Sequence, residues 1–472
     1  MPRILPRRDG PEDARNRLAP RAKAALHESV NESASRTAVI VGAGVSGLAA
    51  AVVLRRRGWR VTVLDSSARV GGAARAFRRD GFLCEEGPNT LLVSRPETRA
   101  FLEETGMLAK ACEAAPDAQN RFVVFGGRLV AVPASPAAFF RSPLLSLGAK
   151  LRLCGEPFRP RGRDPDETLA GFVRRRLGPE PLRELVGPFV SGVFAGDPER
   201  LLVRHAFPRL WRLEQEHGSL IRGALKKGGG AGPKGKLVSW PGGLQELPEA
   251  LARETGDVRL GAEVSALRRE GGRLVVRVFD DELGADRVIL ATDVDTAARL
   301  LAPHLGDALR PFREILWAPI AVVHLGFRRE DVAHPLNGFG VLISRARGLR
   351  TLGALFSSTL FPGRAPEGKV LLTCFMGGAL DPEATLLDDD ALVGQTLRDL
   401  DPLLGLKAAP AFRHTARWPR AIPQYESRHG EVAGACAAAE AALPGLRLLG
   451  NFRGGISMND CLGNAVAAAR EM

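Results

Sequence analysis

Apolar residues near the start of the chain change period twice within thirty positions. Thr37 to Val41 is an unbroken β-capable run, Val45 to Arg57 carries apolar residues at helical spacing up to Gly58, and Arg60 to Leu64 is a second strand-like run. The pattern predicts strand, helix and strand in close succession, the start of a doubly wound sheet. From about Arg95 to Leu225, Leu, Phe and Arg recur among prolines, and a helical region is expected. Strand-like runs return at Leu260 to Leu267 and Arg273 to Phe279, followed by a buried strand within 286–293 that reads as the first sheet resuming after an insertion. Pro319 to Phe327, Gly338 to Ser344, Arg350 to Ser357 and Val370 to Met376 predict a second sheet. Near the C-terminus, Leu446 to Asn451 reads as a strand feeding a Gly454-Gly455 turn and a helix from about Ser457 to Arg470.

The first of these elements carries the clearest chemistry. Gly42, Gly44 and Gly47 stand between strand and helix, and Asp65 closes the second strand. Gly42 suits the tight bend, Gly44 lets backbone approach a pyrophosphate, Gly47 permits close helix packing, and Asp65 can accept from ribose hydroxyls. The helix N-terminus completes an anion site. Just beyond the acid, Arg69, Gly71 and Gly72 suit a chain wrapping a large flavin, which favours FAD over NAD. A C-terminal helix aimed at the flavin ring would stabilise negative charge on its reduced pyrimidine edge.

Charge and composition narrow the partners. The chain has 472 residues, 45% of them hydrophobic, with a formal net charge of +13, which suits an anionic partner. No nucleic-acid motif accompanies that charge, so no nucleic-acid partner is expected. Six cysteines are scattered without CxxC or Cys/His spacing and read as buried thiols, not as a disulfide frame or metal site. Residues 1–36 mix basic and acidic residues without an apolar core and read as a basic, disordered tail. Lys226 to Lys236 reads as a flexible basic loop. No run of about 18 uncharged apolar residues occurs, so a spanning helix is not expected. Leu129 to Leu153 interleaves Phe139, Phe140, Leu144 and Leu151 with Arg141, Lys150 and Arg152, which fits either a helix lying in a membrane interface or one facing a core.

Several segments together resemble the oxygen-dependent protoporphyrinogen oxidase family within the flavin amine oxidase superfamily. They are the glycine motif, Arg69 to Gly72, 285–292 (ADRVILAT), 191–199 (SGVFAGDPE), 206–211 (AFPRLW), 239–248 (SWPGGLQELP), 353–366 (GALFSS to FPGRAP) and 417–425 (RWPRAIPQY). The resemblance implies FAD-dependent oxidation of protoporphyrinogen IX to protoporphyrin IX, dioxygen being the acceptor and hydrogen peroxide the by-product. Coproporphyrinogen III is the alternative substrate. Carried over by position, Arg121 would pair with a propionate, Leu342 and Leu355 would sandwich one pyrrole ring, Phe375 would stack on another, and Gly196 would line the pocket. Val264 would meet the adenine, and Trp418 and Met458 would lie near the isoalloxazine. No catalytic side chain and no metal is implied, since the flavin carries the chemistry.

The organisation expected is α/β: a discontinuous Rossmann-like FAD-binding domain (37–95, 235–300 and 430–472), a helical membrane-binding insertion (96–225) and an α+β substrate domain (301–429). Peripheral attachment to an anionic membrane surface, on the cytoplasmic face of the cell membrane, is the expected location. A homodimer is left open.

Overall fold

Strands buried on both faces must be apolar at every position, and Thr37–Val41 meets that demand. In the computed structural model, which describes residues 36–226 and 235–472, it lies at the centre of a five-stranded parallel sheet. The order is Val258–Leu260, Arg60–Asp65, Thr37–Val41, Arg287–Leu290 and Leu446–Leu448. Ala38 and Ile40 point into one core with the Val45–Arg56, Glu246–Thr255 and Met458–Glu471 helices. Val39 and Val41 point into another, shared with the three-stranded sheet Val264–Glu270, Arg273–Val278 and Asp281–Ala285 and with the Val294–Leu305 helix. The alternation of one strand thus builds both layers. The tail and most of the 226–236 loop lie outside the described residues.

The second sheet has seven strands in the order Phe412–Pro423, Trp317–Arg328, Lys369–Gly377, Thr351–Phe356, Gly340–Leu342, Arg121–Phe125 and Arg128–Ala131. All neighbours are antiparallel except Gly340–Leu342 against Arg121–Phe125. One face is closed by a core containing Val323, Leu325, Val341, Ala354, Leu372 and Cys374. Two of these strands fall within 96–225, which the sequence reading made helical. Val123 and Val124 favour an extended chain, and Gly126 and Gly127 both adopt positive φ (58° and 73°), so the segment closes as a two-residue hairpin.

Leu129 to Leu153 is likewise not one helix. It contains a strand and the short helices Pro136–Arg141 and Leu147–Cys154, separated at Ser142-Pro143, with Ser146 capping the second helix through its hydroxyl. Lys150, expected at lipid headgroups, is 8% exposed, and its ammonium donates to the Phe140 and Ser142 carbonyls at 2.9 and 2.8 Å. The rest of the helical part closes on an apolar core that includes Leu169, Phe172, Val190 and Leu213, beside a buried ion network. Arg176 pairs with Glu156 and, at 3.2 Å, with Glu214, all three being fully buried, while Arg175 reaches Glu214 and Glu167 at 2.7 Å each.

Removing one charge from such a network leaves its partners buried without compensation. Arg176→Met is expected to cost about 3–5 kcal/mol in denaturant unfolding. Adding Glu156→Leu should return more than half of that loss, and an unchanged unfolding midpoint in the single variant would mean that the network contributes no stability.

Candidate active site

The dinucleotide cradle is held by backbone contacts that only glycine allows. Gly42 has φ 109° and donates to the Leu64 carbonyl at 2.7 Å. A Cβ on Gly47 would collide with the Gly42 carbonyl, whereas one on Gly44 would meet nothing within 4 Å. Gly44 therefore faces open space where a ligand can approach. Gly71 (φ 108°) donates to the Ala43 carbonyl at 2.8 Å, bringing Gly72 to within 3.5 Å of the Gly44 Cα, measured from an ideal Cβ. Asp65 accepts from the Ala43 and Ser67 amides at 2.6 and 2.7 Å, which fixes its carboxylate at the strand end. Next to it, the Gly261 and Ala262 amides bond the Ser67 and Asp65 carbonyls and bring buried Val264 alongside.

Two helix N-termini converge on this cradle. The Cys461 side chain, in the first turn of Met458–Glu471, lies against Ser46 in the first turn of Val45–Arg56. Met458 packs partly buried against the same core as Val45 and Val70. Converging amides and dipoles suit a dianionic pyrophosphate and a ring that takes on negative charge when reduced, so the residues present fit FAD.

From the cradle a continuous set of contacts leads to the second sheet. Arg75 donates to the Gly72 carbonyl at 3.0 Å and lies 4.9 Å over the Trp418 ring, whose indole N–H donates to the Glu86 carbonyl at 2.6 Å. Arg69 is 3.9 Å from Glu86. Trp418 opens onto the face opposite the closed core. Across that face run Leu342, Gly353, Phe375, Val322 and Ala416 in one register row, and Arg121, Gly340, Leu355, Thr373, His324 and His414 in the next. Gly353 separates Leu342 from Phe375 and Gly340 separates Arg121 from Leu355, which leaves a flat floor with raised apolar sides. Leu342, Leu355 and Phe375 are only half-buried, and Arg121 is exposed, 5.3 Å from the Phe339 ring and unpaired with any carboxylate among the described residues. Gly196 is buried at the end of the floor, where a Cβ would collide with Gln424, and its neighbour Ala195 packs with Val322 and Phe375.

On the same face, at its Thr373–His324 end, lies a buried polar cluster that sequence reasoning did not single out. Glu85 pairs with Arg364 at 2.8 Å and accepts from the Leu244 amide at 2.9 Å, and Arg364 donates to Ser239 at 2.5 Å, all buried. Burial pushes the Glu85 carboxyl up, against the pull of Arg364. Ser357 and Thr373 share a hydrogen bond of 2.8 Å, and Thr373 meets His324 Nδ1 at 3.2 Å. Burial, with His414 nearby, pushes His324 down to about 3, so its ring stays neutral. The SWPGGL and FPGRAP segments were the available signal, as they bring Ser239 and Arg364 to this place.

The fold and site define a class: residues 45–472 match the flavin containing amine oxidoreductase family, and the chain belongs to it. Among its relatives is a mitochondrial protoporphyrinogen oxidase of Nicotiana tabacum, 34% identical over 94% of this chain and 95% of that protein. A coproporphyrinogen III oxidase of Bacillus subtilis (strain 168) is 28% identical over 92% and 97%. A crystal structure of a protein from Exiguobacterium sp. 255-15 shares the fold with a TM-score of 0.78 at 24% identity, covering 93% of this chain and 99% of that one. The resemblance read from the motifs is borne out, and FAD is the cofactor.

The two glycines of the turn should separate by phenotype. Gly44→Val is expected to leave a folded protein, less stable by about 1 kcal/mol for the poorer helix cap, that no longer retains FAD on gel filtration. Gly47→Ala, which forces a backbone clash, is expected to lower the melting temperature of the apoprotein as well. Full FAD content in Gly44→Val would remove the pyrophosphate from this turn.

Proposed function

We propose that the chain oxidises protoporphyrinogen IX to protoporphyrin IX, with dioxygen as final acceptor and hydrogen peroxide as product. The observation that carries this reading is the flat glycine-spaced floor, with apolar sides, one cation at its rim and a contact path to the flavin cradle. A planar macrocycle with acidic arms needs those features. When bound, the flavin would supply hydride-accepting chemistry and, once reduced, reactivity with dioxygen. Gly42, Gly44, Gly47, Gly71, Gly72, Asp65 and Arg69 would hold it, with Val264 at the adenine and Trp418 and Met458 near the ring. Leu342, Leu355 and Phe375 would clamp the macrocycle and exclude water, Gly196 would close one end, and Arg121 would hold a propionate.

Anaerobic mixing tests both the substrate and the roles. Protoporphyrinogen IX should bleach the bound flavin, and coproporphyrinogen III should do so more slowly because its two further acidic arms would need cations beyond Arg121. Faster bleaching by coproporphyrinogen would reverse the assignment. Arg121→Ala should raise KM more than it lowers kcat, since a remote propionate is held about equally in ground and transition states. Phe375→Ala should slow flavin reduction in single turnover by tilting the reacting carbon. Parental values in both variants would move the substrate elsewhere.

We also propose that the segment around 136–158 seats the protein on an anionic membrane at the cytoplasmic face. Phe140, Leu147, Leu151 and Phe158 are 53, 69, 62 and 85% exposed, with Arg141 exposed among them, and no helix among the described residues is long and apolar enough to cross a membrane. Side chains of this kind enter an interface while the cation stays at headgroups. Replacing Phe140, Leu147 and Leu151 by Ser should abolish co-sedimentation with anionic vesicles without loss of flavin; unchanged co-sedimentation would exclude this surface.

A further inference from the structure

The single tyrosine of the chain, Tyr425, stands where three parts of the molecule meet. It follows the Phe412–Pro423 edge strand and is 1% exposed. Its hydroxyl donates to the Asn451 carbonyl at 2.6 Å and accepts from the Gly455 amide at 3.0 Å. Its own carbonyl accepts from the Leu202 amide at 2.9 Å. Its ring stacks on His429 at 3.6 Å and 17°, and His205 meets His429 edge-on at 5.2 Å. Burial and the neighbouring His205 push His429 down to about 3, so the stack is uncharged, and burial pushes the phenol up, so it keeps its proton. The preceding residue, Gln424, donates to the Phe194 carbonyl at 3.0 Å and lies against Gly196.

In the braced turn Gly454 and Gly455 adopt φ 77° and 125°, with Asn464 donating to the Gly454 carbonyl at 3.1 Å, and they deliver Ser457, the N-cap of Met458–Glu471. That helix begins against Ser46 in the flavin cradle. Removing the phenol oxygen would take this partner from a half-buried amide and a half-buried carbonyl on the segment that aims the helix.

We propose that Tyr425 is a positioning residue for the flavin: its hydroxyl fixes the Asn451–Gly455 turn, and so the start of Met458–Glu471, while Gln424 ties the same point to the substrate floor at 194–196. This rests on the flavin reading of the cradle. In the holoenzyme, Tyr425→Phe keeps the stacked ring and is expected to raise the FAD dissociation constant about tenfold, to shift the flavin absorption bands and to change its reduction potential. A variant that melts lower but has parental FAD affinity, spectrum and potential would show a purely structural role and overturn the proposal. Uniform 3-fluorotyrosine labelling gives a second test without mutation, because one tyrosine gives one fluorine resonance. That resonance should move when FAD is added to apoprotein and again on photoreduction, and a resonance unmoved by both would overturn the proposal. Parental protein that binds no FAD would instead sink the reading of the cradle.

Discussion

The hydrogen bond from the Trp418 indole to the Glu86 carbonyl is the contact on which the relation of the two sheets depends. The segment from Gly71 to Asn89 does two tasks at once. Its first residues pack on the Gly42–Gly44 turn, and its later ones reach the Thr373 end of the second sheet, where Glu85 is fixed by Arg364. A Cβ on Gly87 would collide with the Ala73 carbonyl, so the segment folds back closely on itself. Hydride transfer needs the reacting atoms about 3–3.5 Å apart and aligned. A single stretch of backbone, pinned at both ends by polar contacts, fixes the cradle relative to the second sheet.

The seven-stranded sheet shows how one pattern supplies both a wall and a site. In Gly340–Leu342, Thr351–Phe356 and Lys369–Gly377, Val341, Ala354 and Cys374 turn to the closed core, while Leu342, Leu355 and Phe375 turn to the opposite face. Closing one face completely makes the sheet rigid, and that rigidity lets the other face stay partly uncovered without collapsing. The glycines fall only on the uncovered face in these rows, and Gly353 also sits at a register shift where a Cβ would come within 2.5 Å of the Val341 carbonyl. Flatness is therefore enforced by the backbone, not left to side-chain rotamers.

Strands whose two faces are both buried were legible from sequence, because continuous β-branched runs have no competing reading: Thr37–Val41, Arg60–Asp65 and Arg287–Leu290 lie where the pattern put them. Phe412–Pro423 was not, since an edge strand can alternate Arg413, Arg417 and Arg420 with apolar residues and tolerate Pro419, which reads as loop. The hairpin at 121–131 was lost in a Leu- and Phe-rich background, although its Gly126-Gly127 turn was a usable signal. At the site, Arg121, Leu342, Leu355 and Phe375 entered through resemblance alone, and the register shows them sharing a face that no local pattern encodes. Glu85 and His324 were invisible because an acid or imidazole in sequence reads as solvated until a distant partner, Arg364 or Thr373, is brought to it by the fold.

The helical part inverts the usual placement of charge and grease, and the inversion has a physical cause. Arg176, Glu156 and Glu214 are fully buried while Phe140, Leu147, Leu151, Phe158 and Leu225 are exposed. A buried ion network of this size is a poor source of net stability, since desolvation offsets most of the Coulomb attraction. What it does supply is a fixed geometry among short helices that share only a small apolar core around Leu169, Phe172, Val190 and Leu213. A core built from the exposed leucines would stabilise the region more, but it would leave nothing apolar on the surface. The observed arrangement leaves Phe140, Leu147, Leu151 and Phe158 exposed, while Arg175, Arg176 and their acids share the structural role with the Leu169–Leu213 core.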